Sequence, residues 1–289
     1  MKTNINTTLK RSLVLLIIVL LHVSLAKAQS FTVMSYNIRY DNDWDTKNAW
    51  NDRKDNIVKL LTAQNPDIFG IQEGLVNQVK FIAYALKNHK YIGVGRDGGN
   101  SGEFSAIFYD TSKFKVLKSG TFWLSETPDK ISKGWDAVLN RICTYGLFKN
   151  LKTHKKVWVF NTHFDHKGSL SREKSAALIL NKIRQINTKK YPVVLTGDLN
   201  TNPSEKPVTL LKTELEDALD KSDKPFIGQT GTFNGFNNEA PVLIKIDYIF
   251  IKNLNVSNYI HIDDRVNKKH ISDHLPIMAI LNFKEVSKN

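Results

Sequence analysis

Nine short apolar runs rich in β-formers constrain this chain more than any other feature: FTVMSYNI, PDIFGIQE, YIGVG, FSAIFYD, RICTYGLF, VWVFNTHF, PVVLTGDLN, KIDYIFIK and HLPIMAILNF. Runs of this length and composition read as half-buried or fully buried strands. Helical patterns lie between some of them, over Trp50 to Ala63, Val76 to Leu86, Ser171 to Ile186 and Pro207 to Leu215. Many strands with a few amphipathic helices predict sheets packed face to face with helices outside, a layered α/β arrangement. In the middle of the chain strands follow one another directly, as antiparallel neighbours do, which leaves a doubly wound parallel sheet as the second choice. PDIFGIQE and PVVLTGDLN also echo each other: both run Pro, apolar strand, Gly, then a carboxylate at the strand end. Two similar halves would leave such a trace.

The opening stretch, MKTNINTTLKRSLVLLIIVLLHVSLAKAQS, has basic residues, an apolar run and then Ala26-Lys27-Ala28. That is the form of a secretory signal peptide, so residues 1–28 are expected to be removed and residues 29–289 to form a single exported domain, periplasmic or extracellular. A retained anchor is the alternative, but the apolar run is shorter than the ~20 residues a membrane span needs. No transmembrane segment is expected after cleavage, and the expected state is a monomer. Removing the signal takes four positive charges from the formal +13 and leaves +9. Such a balance favours polyanionic partners (nucleic acid, phospholipid surfaces or acidic glycans) without choosing among them. Cys143 stands alone, so no intramolecular disulfide forms and stability must come from the core.

The strand ends point to chemistry. Asn37, Glu73, His163 with Asp165, Asp198 with Asn200, Asp247, and Asp273 with His274 all sit at or near the end of an apolar run. Taken singly, each has a local explanation: Asp198 and Asn200 suit a turn, His163 a satisfied buried imidazole, and Asp273-His274 a turn cap before Leu275-Pro276. Gathered on one edge of packed sheets, they would make a pocket of carboxylates, imidazoles and amides. Oxygen donors in that number, without cysteines, suit a hard divalent cation, Mg²⁺ or Mn²⁺, rather than zinc or copper. Magnesium usually takes only about one or two protein carboxylates, so the remaining acid is available to work on water. Asp198 and Asn200, two apart in an extended chain, point to one side and would activate and aim a single water at phosphorus.

The ordered motifs YNIR, GIQE, NTHFD, TGDLNTNP, IDYIF and SDHLP resemble the endonuclease/exonuclease/phosphatase superfamily, DNase I-like, in a secreted bacterial branch. The resemblance runs from Val33 to about Ala279. It implies a four-layer α/β sandwich, two packed and mostly antiparallel sheets flanked by helices, and metal-dependent hydrolysis of a phosphoester by direct attack of water. Carried over, Asn37 and Glu73 look like metal-site residues, and Asp273 like a further metal or phosphate-site acid. Asp198 and Asn200 look like the pair that handles the water. His274 looks like the imidazole on the scissile phosphate, held by Asp247. His163 resembles the second active-site histidine of the DNase I and sphingomyelinase branches, with Glu103 placed as its acidic partner and Asp165 behind it. Arg141 is placed like a phosphate-binding arginine. Arg39 stands where abasic-site nucleases carry an acid, which brings this chain closer to DNase I and puts Arg39 with the phosphate binders.

Substrate choice resides in loops and is less legible. Trp44, Trp50 and Trp135 would stack on bases or sugars if exposed, and would be core residues otherwise. The stretch GRDGGNSGE, 95–103, is too irregular for a nucleotide fingerprint and reads as a flexible loop. The first reading is a secreted Mg²⁺-dependent nuclease with nucleic acid as partner. The alternative is a phosphatase or phosphodiesterase for small or lipid substrates such as sphingomyelin, inositol phosphates or a sugar phosphate.

Overall fold

The computed structural model describes residues 30–263 and 265–284; the expected signal peptide, residues 1–28, lies outside the described residues. The apolar runs pair into two six-stranded sheets. The first is built from β1 (Ser30–Asn37), β2 (Ile68–Gln72), β3 (His89–Ile92), β4 (Ile107–Asp110), β11 (Leu254–His261) and β14 (Ile277–Phe283) in the order β11-β14-β1-β2-β4-β3. The second is built from β5 (Phe114–Trp123), β6 (Ile142–Asn150), β7 (Lys156–His163), β8 (Val193–Asp198), β9 (Glu216–Asp217) and β10 (Asp247–Lys252) in the order β5-β6-β7-β8-β10-β9. A small ribbon of β12 (Arg265–Val266) and β13 (Lys269–His270) stands apart from both.

Each sheet is antiparallel except for one central pair, β1 with β2 and β7 with β8. A parallel pair needs a crossover, and a helix supplies it each time: α1 (Trp50–Gln64) in the first case and α3 (Ser169–Ile186) in the second. The motif echo thus corresponds to two β-α-β units placed alike in two sheets. Between the sheets, Phe31, Val33, Ile68 and Ile107 pack against Val157, Val159, Val194 and Ile249. α1 and α2 (Val76–Ala85) cover the outer face of the first sheet, with Ile57, Leu60, Leu61, Val79 and Ile82 buried on Met34, Tyr36 and Phe69. α3 and α4 (Lys206–Leu211) cover the second, with Ile179, Leu180 and Ile183 buried on Phe160, Leu195 and Phe250. The result is the four-layer α/β sandwich. At about 1.5–3 kcal/mol for each fully buried large aliphatic or aromatic side chain, these three apolar layers supply the main driving force.

Local signals set the ends of the elements. Asn65, in the left-handed conformation at φ 44°, stops α1 just before Pro66, which cannot continue a helix. The first amides of α3 are satisfied from a distant loop, with Leu170 and Ser171 donating to the Asp136 carboxylate. α4 is shorter than the pattern to Leu215 predicts, because after Leu211 the chain tightens into three-residue turns.

The nine runs missed two long strands, β5 and β11, and both are sheet edges. β5 carries Lys115, Lys118 and Ser119 facing solvent and a register shift between Val116 and Lys118; β11 has one between Val256 and Asn258. Lysines and bulges are the usual means of keeping an edge from pairing with another chain, and they also erase the apolar alternation by which a strand is recognised.

Candidate active site

Strand direction gathers the polar ends. β1, β2, β7 and β8 run toward one edge of the sandwich and deliver Asn37, Glu73, His163 and Asp198 there. β4, β6, β10 and β14 run the opposite way, so the residues at or before their starts, Glu103, Arg141, Asp247 and Asp273-His274, arrive at the same edge. Asp198 sits directly between His163 and Asp247 in the sheet register. Three of the polar residues leave their strands in the left-handed region: Arg39 at φ 56°, Glu73 at φ 65° and Asn200 at φ 48°. Non-glycine residues held there concentrate at functional sites, where surrounding contacts pin them.

Under the cleft the two sheets come too close for apolar side chains. Gly70 lies where an added Cβ would come within 2.4 Å of Asn161 Oδ1 and 2.6 Å of Thr196 Oγ1. Fully buried Asn161 donates to the Ile71 and Ala106 carbonyls, and its Oδ1 accepts from Gln72 Nε2 and Thr196 Oγ1. Gln72 also reaches Ser35. This polar network, in which Gln72 Oε1 alone of the named side-chain atoms lacks a hydrogen bond, ties the first sheet to the second directly below the site.

The cleft above encloses about 500 Å³ and is lined by all the predicted site residues except Asn37, Asp165 and Asp247, which stand behind it. Asp198 is at its centre. Its Oδ1 accepts the Asn200 amide at 2.8 Å, and its Oδ2 accepts Asn37 Nδ2 at 3.0 Å and lies 3.5 Å from His163 Nε2 and 3.7 Å from His274 Nε2. Asn37 Nδ2 also donates to Glu73 Oε1, while Asn37 Oδ1 accepts the Arg39 amide. The side of Asn37 turned to the acids is therefore a donor. Asn200 Nδ2 donates to His163 Nε2 at 3.1 Å, which places the His163 proton on Nδ1, 3.7 Å from Glu103 Oε2. His274 Nδ1 is held by Asp247 Oδ2 at 2.8 Å, and the Phe233 ring packs edge-on against the imidazole.

Charges are crowded here. Burial raises the Asp198 carboxyl to about 7, with Asp247 adding to the rise and His274 opposing it. Burial and then Glu73 raise Glu103 to about 7; burial raises Asp273 to about 6, with His274 opposing and Glu73 adding. The two imidazoles are driven apart. Burial works against charge on His274, but Asp247 and Asp198 outweigh it and hold its pKa well above the ordinary value. Burial, with Arg141 and Arg96, keeps His163 far below its ordinary value and neutral. Opposite displacements of like groups in one cleft mark acid and base assignments.

The arginines differ. Arg39 is held by Asp45 through two hydrogen bonds and stands 3.8 Å from Asp273 and 4.0 Å from Glu73. Arg141 is 4% exposed; its Nη2 meets His166 Nδ1 at 3.0 Å, its Nε faces Asp165 at 3.5 Å, and its Nη1, 3.9 Å from Glu103 Oε2, has no hydrogen-bond partner among the described residues. A buried guanidinium donor without a hydrogen bond at a cleft wall is a place for an anionic oxygen. Asp165 accepts the Lys167 and Gly168 amides and organises the turn that leads into α3. Glu103 is bound to Arg96 at 2.7 Å.

Sequence reasoning missed Arg96, Tyr40, Leu139, His166, Phe233 and Ile246, all of which line the cleft. His166 stood in view in THFDH, three residues past the strand. Arg96 comes from the Gly95–Glu103 loop, which is no loose connection but a turn closed by backbone bonds such as Arg96 to Glu103 and Gly95 to Gly99. Of the tryptophans, Trp50 is in the core, Trp44 is exposed beside Tyr40, and Trp135 is half-buried. Among the described residues, no helix is long and apolar enough to cross a membrane.

Two packed mixed sheets with an acid- and imidazole-lined cleft at their shared strand edge define a phosphoester hydrolase fold. The chain belongs to the endonuclease/exonuclease/phosphatase family, whose sequence profile matches residues 34–274. A mannosyl-6-phosphatase of Bacteroides thetaiotaomicron is 39% identical and superposes with a TM-score of 0.84 over 88% of this chain and 100% of that one. An uncharacterized protein of Acanthamoeba polyphaga mimivirus is 29% identical over 251 residues, 80% of this chain and 91% of its own length. The human Nocturnin catalytic domain, 19% identical with a TM-score of 0.71 over 89% of this chain and 94% of its own, shares the fold.

Proposed function

We infer that this protein hydrolyses a phosphate monoester on a sugar, using a divalent cation and direct attack of water. The observation that carries the reading is Arg141 Nη1, which makes no hydrogen bond and has only Glu103 at 3.9 Å, in a cleft of about 500 Å³, a volume within the roughly 300–1,000 Å³ of small-molecule sites. The likeness to a mannosyl-6-phosphatase over its whole length supports a phosphorylated sugar. Tyr40, Leu139, Phe233 and Ile246 supply the apolar wall that a sugar ring needs, and Arg39 and Arg96 add positive charge for the phosphate.

The donor set fits a hard cation. Glu73, with Asp273 beside it, would hold the cation, and Asp198, with an oxygen within 4.8 Å of one of Glu73, adjoins it; burial chiefly, with neighbouring acids adding, raises the Asp198 and Asp273 carboxyls, and a divalent charge relieves this. Bound there, Mg²⁺ or Mn²⁺ would polarise the phosphoryl oxygens and offset the charge that develops on them. Asp198 takes the proton of the attacking water, which Asn200 aims; the water oxygen bonds to phosphorus as the bond from phosphorus to the sugar oxygen breaks, and that oxygen leaves by taking a proton from solvent. His274, charged and locked by Asp247, donates from Nε2 to a nonbridging oxygen, and Arg141 Nη1 binds another. His163, neutral with its proton on Nδ1, offers Nε2 beside Asp198.

A nuclease remains the second reading, favoured by the expected charge of +9 and by exposed Trp44 next to Tyr40. Turnover of the purified chain with Mg²⁺ on mannose 6-phosphate, bis(p-nitrophenyl) phosphate, plasmid DNA and RNA separates the two. Faster release from the sugar monoester is expected; faster cleavage of nucleic acid or the diester would overturn the sugar-phosphatase reading.

A further inference from the structure

The end of the sandwich remote from the cleft carries an arrangement that catalysis does not use. In the sheet register Lys149 of β6 stands directly opposite Lys115 of β5 on one side and Lys156 of β7 on the other. Three lysines thus lie in one row on the α3-facing side of the sheet, at strand spacings of about 4.8 Å. Like charges directly opposite each other in a sheet are destabilising. None of the three has a carboxylate partner among the described residues; Lys156 lies over the Tyr191 ring, 5.4 Å from its centre. Protection of a sheet edge explains lysines on β5, but β6 and β7 are interior strands with nothing to protect.

One residue pair further along the same face, Lys118, Leu147 and Trp158 form the next row. There the sheet, the last turn of α3 and the following loop enclose a cavity of about 210 Å³ with Leu147, Trp158, Ile186 and Tyr191 as its apolar floor and Lys118, Lys156 and Lys189 around it. α3 begins beside the cleft and is 18 residues long, so about 27 Å separates the two sites.

We propose that the Lys115–Lys149–Lys156 row and its adjoining cavity bind an acidic glycan, a polymer of sugars bearing carboxylate, sulfate or phosphate groups. The row repeats positive charge along a line, as a polymer with an anion on successive units requires, and the aromatic floor accepts the apolar face of one sugar ring. A lipid surface fits less well, because the apolar groups line a hollow whereas membrane docking needs an apolar prominence. The site would hold the enzyme on its polymer while the cleft, at the other end, stays open to solution. This inference stands apart from the sugar-phosphatase reading, since its test reads binding rather than turnover.

The test is binding of the full chain to heparin, with neutral dextran, phosphatidylglycerol vesicles and duplex DNA compared at one ionic strength. A variant combining Lys115→Gln, Lys149→Gln and Lys156→Gln should bind heparin about ten-fold or more weakly. A control of equal charge combining Lys59→Gln, Lys80→Gln and Lys90→Gln, all exposed and elsewhere, should bind like the parent. Both should keep the parent's melting temperature or better and its turnover of a small phosphoester. Unchanged heparin binding in the first variant, an equal loss in the control, or preference of the parent for vesicles or DNA would overturn the proposal.

Discussion

The β1–α1–β2 and β7–α3–β8 units are one backbone device used twice, yet they reach the cleft with different chemistry. Each sets two parallel strands side by side at the centre of its sheet and turns out of the second strand through a left-handed residue, Glu73 at φ 65° in one and Asn200 at φ 48° in the other. The first unit delivers Asn37, Arg39 and Glu73; the second delivers His163, Asp198 and Asn200. Glu73 faces Arg39 and Asp273, a setting for a cation and a phosphate. Asp198 lies between two imidazoles of opposite protonation, a setting for moving a proton. The backbone therefore decides where a side chain lands, and its neighbours decide what it does there.

The strongest way to break this contrast is to remove each unit's acid without changing its shape. Asp198→Asn should lower kcat by about 10³-fold, with no recovery on raising Mg²⁺, because a proton acceptor is lost. Glu73→Gln should lower activity by about 10²-fold at ordinary Mg²⁺ and regain much of it at higher concentration, because a cation ligand is lost. Steady-state rates across a Mg²⁺ series distinguish the two, and identical responses would erase the difference between the units.

Where the units touch, Gly70→Ala should destabilise the fold by about 1–3 kcal/mol in urea titration, since the new methyl collides with Asn161 and Thr196. Little change would mean that the sheets are not pinned there.

The smallest expected effect is a pH dependence. Asp198 and Glu103 at about 7 and Asp273 at about 6 are raised, so their contribution to cation-free stability is full below the ordinary carboxylate pKa and is lost as pH rises through 6–7. A divalent cation opposes that loss. Its gain in melting temperature should therefore be larger at about pH 8 than at about pH 5.5; an equal gain at both would place the cation away from these acids.

Much of this was legible in the sequence because it is written in local periodicity. Interior strands are continuous apolar runs, so β1, β2, β7, β8, β10 and β14 announce themselves, and each carries its polar residue at or beside one end. Edge strands β5 and β11 are half-solvated and bulged, and the signal fades there. Asn161, Gln72 and Thr196 could have been noticed as polar residues at inward-facing positions of otherwise apolar strands, although nothing local says that they meet across two sheets. Arg96, Phe233 and Leu139 come from loops whose partners are far away in the chain, and no spacing rule connects them.

By itself the sequence determined the strands, their alternation with helices, the order of the motifs and the acids, amides and imidazoles at the strand tips, since all of these depend on residues within a few positions of one another. Only the tertiary structure decided that strands of opposite direction bring those tips to one edge, that His163 is neutral while His274 is charged, and that Arg141 keeps a donor without a hydrogen bond. Those outcomes depend on burial and on distances between groups that are remote along the chain, quantities that exist only once the two sheets have packed.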